Sequence, residues 1–82
     1  MSEAGTLLSI GAIAAALDAK ADGDLTFGVA RASEPASAGP DDLALAMDPR
    51  YADGIAKGRA RAAVLWAGAD YKALGLRAAI FV

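Results

Sequence analysis

The sequence predicts a small α/β domain in which a sheet is flanked by short helices, and three observations point to it. Apolar residues recur at helical spacing between Ile10 and Leu17, which predicts an amphipathic helix. The stretch Ala62–Trp66 is apolar at every position, as in a strand that is covered on both faces. The stretch Arg77–Val82 is apolar after its first residue, and the strand–helix–strand order predicts that it runs parallel to Ala62–Trp66.

Length and composition exclude several classes of protein. The 82 residues form one domain at most, and 23 alanines among 56% hydrophobic residues predict a core of small side chains. With no cysteine and no histidine, the chain has neither disulfides nor a structural zinc site, and we expect no metal. A net charge of -2 and a pI near 4.8 argue against nucleic acid or an anionic membrane surface as a partner.

The N-terminal region has no features of a targeting segment. Glu3 lies where a signal peptide would carry positive charge. The apolar run Leu7–Leu17 is too short to cross a bilayer and contains Ser9 and Gly11. We therefore expect no transmembrane segment and a cytoplasmic location.

The first half of the chain predicts one helix and one hairpin. Ser9 stands where its hydroxyl can cap a helix over Ile10–Asp18. After a turn at Asp22–Asp24, alternation of apolar residues predicts a strand over Leu25–Ala30. A short strand through Lys20 and Ala21 is expected to pair with it.

The second half predicts alternating strands and helices. Ser33–Asp42 is rich in proline and glycine and predicts a loop, and Leu43–Met47 predicts a strand. Asp48-Pro49 is a typical helix start, and Gly58 fits just beyond the end of that helix. A second short helix is predicted over Ala69–Leu74.

Few residues of the chain suggest chemistry. Without histidine or cysteine the commonest acid–base and thiol catalysts are absent, and no glycine-rich phosphate loop occurs, so we expect no catalytic residue and no cofactor. Asp41 and Asp42 could be paired carboxylates, but solvated turn residues are the favoured interpretation. Arg59 and Arg61 could contact a phosphate, although a solvated rim is favoured.

Tyr51 is the strongest candidate for ligand binding. It lies in the first turn of the helix that Asp48-Pro49 opens, where free N–H groups suit a polar or anionic ligand and an aromatic ring can stack on a nucleobase. The alternative is a partly buried tyrosine that covers the core.

The segment Ala38–Ala52, AGPDDLALAMDPRYA, resembles a family signature. It is similar to the AGPGDLSFLANPKYA segment in the N-terminal domain of UDP-3-O-acylglucosamine N-acyltransferases. The order of elements also agrees, from a helix at Ile13–Leu17 to a strand at Ala62–Trp66, so that the resemblance extends over Ser9–Val82.

The resemblance implies a function in lipid A synthesis of Gram-negative bacteria. In this family an N-terminal α/β domain binds the uridine of UDP-3-O-acylglucosamine. A left-handed β-helix forms the homotrimer and carries the catalytic histidine, and a C-terminal helical segment helps to receive acyl carrier protein. We expect residues 1–82 to be the uridine-recognition domain, truncated at its C-terminal end because Ile80–Val82 stops within an apolar strand. The β-helix is absent from this chain, and the fold is expected to be similar also to the N-terminal domains of Mur ligases.

Three positions carry the implied uridine site. Tyr51 matches the family tyrosine that stacks on uracil, Asp48 stands where the family has asparagine, and Leu45 stands where it has a second stacking phenylalanine. Because two of the three positions depart from the pattern, a second hypothesis is an interaction module that only packs against other parts of the enzyme, with a decayed nucleotide site.

Overall fold

A five-stranded sheet forms the centre of the chain in a computed structural model, which describes residues 7–82. The strands are β1 (Leu8–Ser9), β2 (Lys20–Gly23), β3 (Gly28–Val29), β4 (Arg31–Ser33), β5 (Asp42–Ala46), β6 (Ala62–Leu65) and β7 (Ala78–Phe81). The α-helices are α1 (Ile10–Leu17) and α2 (Ala52–Lys57), with single 3₁₀ turns at Pro35–Ser37 and Pro49–Tyr51. The predicted α/β class with short flanking helices is confirmed.

The sheet has the strand order β2-β7-β6-β5-β4. Strands β4 to β7 are parallel, and β2 pairs antiparallel with β7 at one edge. The central strand is β6, and all four of its residues are buried, as its unbroken apolar sequence predicts. The predicted parallel pairing of β6 with β7 is confirmed, with Val64 opposite Ile80. A separate two-stranded ribbon joins β1 to β3.

Alternating side chains of the sheet build two cores on its opposite faces. Leu43, Val64 and Ile80 pack with α1, whereas Ala44, Leu65 and Ala79 pack with Ile55 of α2 and with Tyr71. Successive residues of a strand point to opposite faces, so β5, β6 and β7 each contribute to both cores. The many alanines allow helices and turns to approach the sheet closely on either side.

Helix α1 lies where the sequence predicts it and is one residue shorter. The Ser9 hydroxyl accepts a hydrogen bond from the Ala12 N–H at 3.1 Å, which confirms the predicted cap. The helix ends at Leu17, and Asp18 adopts a left-handed conformation with φ 53°. No helix among residues 7–82 is long and apolar enough to cross a membrane.

The hairpin predicted over residues 20–30 is wrong. Strand β2 pairs with β7, 55 or more positions later in the chain, with Lys20 opposite Phe81 and Gly23 opposite Ala78. Leu25 lies in a turn, because the Asp24 carboxylate accepts hydrogen bonds from both the N–H and the hydroxyl of Thr26. These hydrogen bonds hold the pKa of Asp24 below its usual value. Only Gly28–Val29 of the predicted strand is extended.

The short helix predicted over Ala69–Leu74 is also wrong. This segment makes single turns, in which the Leu74 N–H bonds the Tyr71 carbonyl and the Gly75 N–H bonds the Lys72 carbonyl. Gly75 has φ 79°, a conformation that favours glycine and reverses the chain before Leu76. The burial of Tyr71 and Leu76 in the core holds these turns in place.

Candidate functional site

A groove of about 510 Å³ opens beside the carboxyl end of β5. The pairing of β4 with β5 ends at Ser33 and Ala44, which leaves Leu45 beside an open edge. The chain then leaves β5 through Met47 and Asp48 and enters the 3₁₀ turn that carries Tyr51. The groove therefore brings together all three residues that the sequence predicts for the site, Leu45, Asp48 and Tyr51.

The lining of the groove is apolar with a few polar groups. Leu45, Met47 and Tyr51 are 39%, 49% and 43% exposed, although large apolar side chains usually lie inside a protein. Single exposed apolar side chains need no explanation, but here three of them line one concave surface. A concave apolar surface with a small number of polar groups is typical of a ligand site.

Asp48 begins the helix and is already engaged there. Its Oδ1 accepts a hydrogen bond from the Arg50 N–H at 3.0 Å, and its backbone carbonyl accepts one from the Tyr51 N–H at 2.9 Å. The predicted cap and proline start are confirmed, with a 3₁₀ first turn. The prediction that this helix start offers free N–H groups to a ligand is wrong for Arg50 and Tyr51, because both N–H groups are used within the turn.

Arg50 lies in the groove as well, and the sequence reasoning missed it. The guanidinium carbon lies 5.2 Å from the centre of the Tyr51 ring, which is a cation–π contact. Its Nε is 3.8 Å from Asp48 Oδ1. The adjacency of arginine and tyrosine in the sequence was the available signal, but only the 3₁₀ turn places one side chain over the other.

The loop between β4 and β5, residues 34–41, forms one wall of the groove. This loop packs closely against Gly54 in α2 and Gly58 after it. A Cβ on Gly54 would lie 3.0 Å from the Pro35 side chain, and a Cβ on Gly58 would overlap the Pro35 carbonyl oxygen. Pro35 itself is buried. The predicted position of Gly58 after the helix is confirmed, but its φ of -85° shows that close packing, not a left-handed cap, requires glycine there.

The carboxylate of Asp42 stabilises the C-terminal end of the same loop. Its Oδ2 accepts hydrogen bonds from the Gly39 N–H at 2.9 Å and the Ser33 hydroxyl at 3.1 Å, and its Oδ1 lies 3.2 Å from Arg31 Nε. The Gly39 N–H is the main cause that lowers the pKa of Asp42, with help from Ser33 and Arg31 and against the effect of burial. The interpretation of Asp42 as a solvated turn residue is wrong, because it is 6% exposed; Asp41 is exposed.

The two arginines that the sequence suggested as phosphate contacts lie outside the groove. Arg59 and Arg61 are exposed and precede β6, at the opposite end of the parallel strands from the groove. Residues 7–82 contain no group of three or more potential metal ligands. The groove combines an aromatic ring, the apolar side chains of Leu45 and Met47, two carboxylates and a guanidinium.

Fold and groove together define a small α/β domain with an apolar groove at the carboxyl end of β5. The chain is 59% identical over 73 residues to UDP-3-O-acylglucosamine N-acyltransferase of Ruegeria pomeroyi, a match that covers 89% of this chain and 20% of that protein. It is 47% identical over 75 residues to the protein of the same name from Paracoccus denitrificans, again with 20% of that protein covered. No protein-family model matches the chain.

These relatives confirm the resemblance that the sequence suggested: the chain is homologous to a segment of UDP-3-O-acylglucosamine N-acyltransferases. The chain spans about a fifth of the length of the curated relatives that it matches.

Proposed function

We propose that this chain is the uridine-recognition domain of an N-acyltransferase of lipid A biosynthesis. The enzyme would transfer a (3R)-3-hydroxyacyl group from acyl carrier protein to the 2-amino group of UDP-3-O-acylglucosamine. The observation that carries the proposal is the convergence of Leu45, Asp48 and Tyr51 on one groove. These are the positions to which the resemblance assigns uracil binding. The names of two relatives, which include both the nucleotide sugar and the acyl transfer, support it.

The groove offers complementary groups to a uracil base. The Tyr51 ring is 43% exposed and gives a flat surface for stacking, and Leu45 gives an aliphatic contact. The hydrogen bond and the ion pair of Asp48 within residues 7–82 both use Oδ1. Its Oδ2 is thus the atom that would accept the N3–H of uracil, a donor that cytosine lacks. This difference is the physical basis for preferring uridine over cytidine.

The domain would position the nucleotide sugar and would take no part in the acyl transfer itself. Its 82 residues contain no histidine and no cysteine, so neither side chain is present to take the proton of the attacking amine. Holding the nucleotide fixes the distance and angle of the glucosamine amine, an effect that lowers a reaction barrier without a catalytic residue. We infer that the catalytic histidine, the homotrimer contacts and the acyl carrier protein site belong to segments outside this sequence, in a cytoplasmic enzyme.

A packing module is the second candidate, and one observation favours it. Arg50 covers part of the Tyr51 ring, and Leu45 and Met47 add apolar surface beside it. A neighbouring domain could bury this surface without any nucleotide.

Calorimetric titration of the full natural protein with UMP and CMP separates the two candidates. A uridine site binds UMP more tightly than CMP, and Tyr51→Ala weakens UMP binding about tenfold or more, since base stacking is worth about 1–3 kcal/mol. Tyr51→Phe keeps the ring and serves as the matched control, with affinity near that of the natural protein. Equal affinities for UMP and CMP that Tyr51→Ala leaves unchanged would remove the uridine site and leave the packing module.

A further inference from the structure

Arg50 is the single cationic side chain that lines the groove among residues 7–82. Two carboxylates, those of Glu34 and Asp48, line the same groove, so the formal charge of its side chains is negative. A phosphate that entered this groove would be repelled by both carboxylates unless a cation stood close to it. Arg50 is placed to be that cation.

The contacts of the Arg50 guanidinium are loose. The 3.8 Å between its Nε and Asp48 Oδ1 exceeds the 2.7–2.9 Å typical of a charge-assisted hydrogen bond. The side chain is 74% exposed, and among residues 7–82 its guanidinium makes no hydrogen bond. The five N–H donors of the guanidinium therefore remain available for a ligand.

The same side chain partly covers the surface on which a base would stack. The guanidinium carbon is 5.2 Å from the centre of the Tyr51 ring. A movement of Arg50 away from this ring both uncovers the ring and frees a cation beside the groove. Displacing the guanidinium costs the cation–π contact, which at an exposed site is small and which an ion pair with phosphate offsets.

We propose that Arg50 binds the phosphate of a nucleotide whose base stacks on Tyr51, so that the groove selects phosphorylated ligands over the free nucleoside. This inference rests on the proposed function and adds to it a residue that distinguishes a nucleotide from a nucleoside. The planar fork of arginine matches two phosphate oxygens, which a lysine cannot do. Arg50 is thus the group that offsets the repulsion between phosphate and Asp48.

The test is the ratio of the dissociation constants for uridine and UMP, measured by calorimetry on the full natural protein. We expect the natural protein to bind UMP about tenfold more tightly than uridine, the scale of a hydrogen-bonded charge. In Arg50→Gln the ratio falls towards one, because UMP binding weakens while uridine binding stays the same or tightens. Arg50→Lys keeps the charge without the fork and gives an intermediate ratio.

Arg59→Gln is the matched control. It removes the same charge from an exposed site at the opposite end of the parallel strands, and it should leave the ratio unchanged. Raising the salt concentration should lower the ratio in the natural protein more than in Arg50→Gln, because salt screens exposed ion pairs.

The outcomes separate this inference from the proposed function. If Arg50→Gln weakens uridine and UMP by the same factor, Arg50 only supports the shape of the groove and the inference is overturned. If CMP and UMP bind alike while the phosphate-dependent ratio still falls in Arg50→Gln, uracil recognition fails and the phosphate contact stands. Absence of UMP binding by the natural protein at millimolar concentration overturns both.

Discussion

Asp42 begins strand β5 and Asp48 follows its carboxyl end, and the two carboxylates differ in burial and in their contacts. Asp42 at the amino end is 6% exposed and joins Gly39, Ser33 and Arg31 through both carboxylate oxygens. The side chain of Asp48 after the carboxyl end is 51% exposed and makes its hydrogen bond and ion pair through Oδ1 alone. The carboxylate at the amino end is therefore buried with partners on both oxygens. The carboxylate after the carboxyl end is exposed, and its Oδ2 has no partner among residues 7–82.

This difference separates a region that stabilises the fold from a region that can bind a ligand. A buried carboxylate whose two oxygens are already paired has little capacity left for a ligand, and each partner that is lost weakens the compensation for its burial. An exposed carboxylate with a free oxygen costs little to keep and can exchange water for a ligand. The loop from residue 34 to residue 41 joins the two ends, because it forms the groove wall and is fastened by Asp42.

The largest expected effect comes from tightening the contact behind that loop. In Gly58→Ala the new methyl group overlaps the Pro35 carbonyl oxygen, so the loop or α2 must move. We expect a loss of about 1–3 kcal/mol in the free energy of unfolding, as for overpacked sites. Urea unfolding of the 82-residue chain, followed by the fluorescence of its one tryptophan, Trp66, measures it.

Gly39→Ala is the control for that prediction. A Cβ on Gly39 meets Asp42 Oδ2 at 3.7 Å, an ordinary contact, so this variant should be close to the natural chain in stability. Equal losses in the two variants would contradict the role given to the contact with Pro35.

Asp42→Asn is expected to have the next largest effect, and that effect depends on pH. The folded protein holds the pKa of Asp42 below its ordinary value, so the ionised carboxylate stabilises the fold at every pH above the unfolded pKa. This stabilisation is lost as the pH falls through the unfolded pKa towards the folded pKa. We expect Asp42→Asn to be less stable than the natural chain at pH 7, with a difference that shrinks below about pH 4. A difference that stays constant from pH 7 to pH 2 would contradict the role given to the charge.

The smallest effect is expected from the same substitution at the other end of β5. Asp48→Asn keeps a good helix cap, so the free energy of unfolding should change by less than about 0.5 kcal/mol. The NH2 group that takes the place of Oδ2 cannot accept the uracil N3–H, but it can donate to a uracil carbonyl instead. Because the negative charge near the phosphate is also removed, UMP binding should tighten about two- to fivefold, the scale of exposed charge pairs. Calorimetry with UMP and urea unfolding of the same variant check the two statements. A large loss of stability in Asp48→Asn would erase the contrast between the two aspartates.

The local signals of the sequence were sufficient where an element depends on its own residues. Ser9 caps α1, Asp48-Pro49 opens the turn that carries Tyr51, and the unbroken apolar run at Ala62–Leu65 becomes the buried central strand. Leu45, Asp48 and Tyr51 were assigned to one candidate site by the resemblance of Ala38–Ala52 to the family signature. Caps and proline starts act over a few residues, so that the sequence alone determines them.

The tertiary structure decided what depends on distant partners. Lys20–Gly23 pairs with Ala78–Phe81 and not with its neighbour in the chain, because strand pairing is set by the whole sheet and local alternation cannot name the partner. Asp42 is buried only because the loop folds back to place the Gly39 N–H against its carboxylate. Arg50 reaches the face of Tyr51 only through the geometry of the 3₁₀ turn. The sequence therefore determined the helix caps and the central strand. Packing between distant segments determined that Asp42 is buried, and the geometry of the 3₁₀ turn determined that Arg50 lies beside Tyr51.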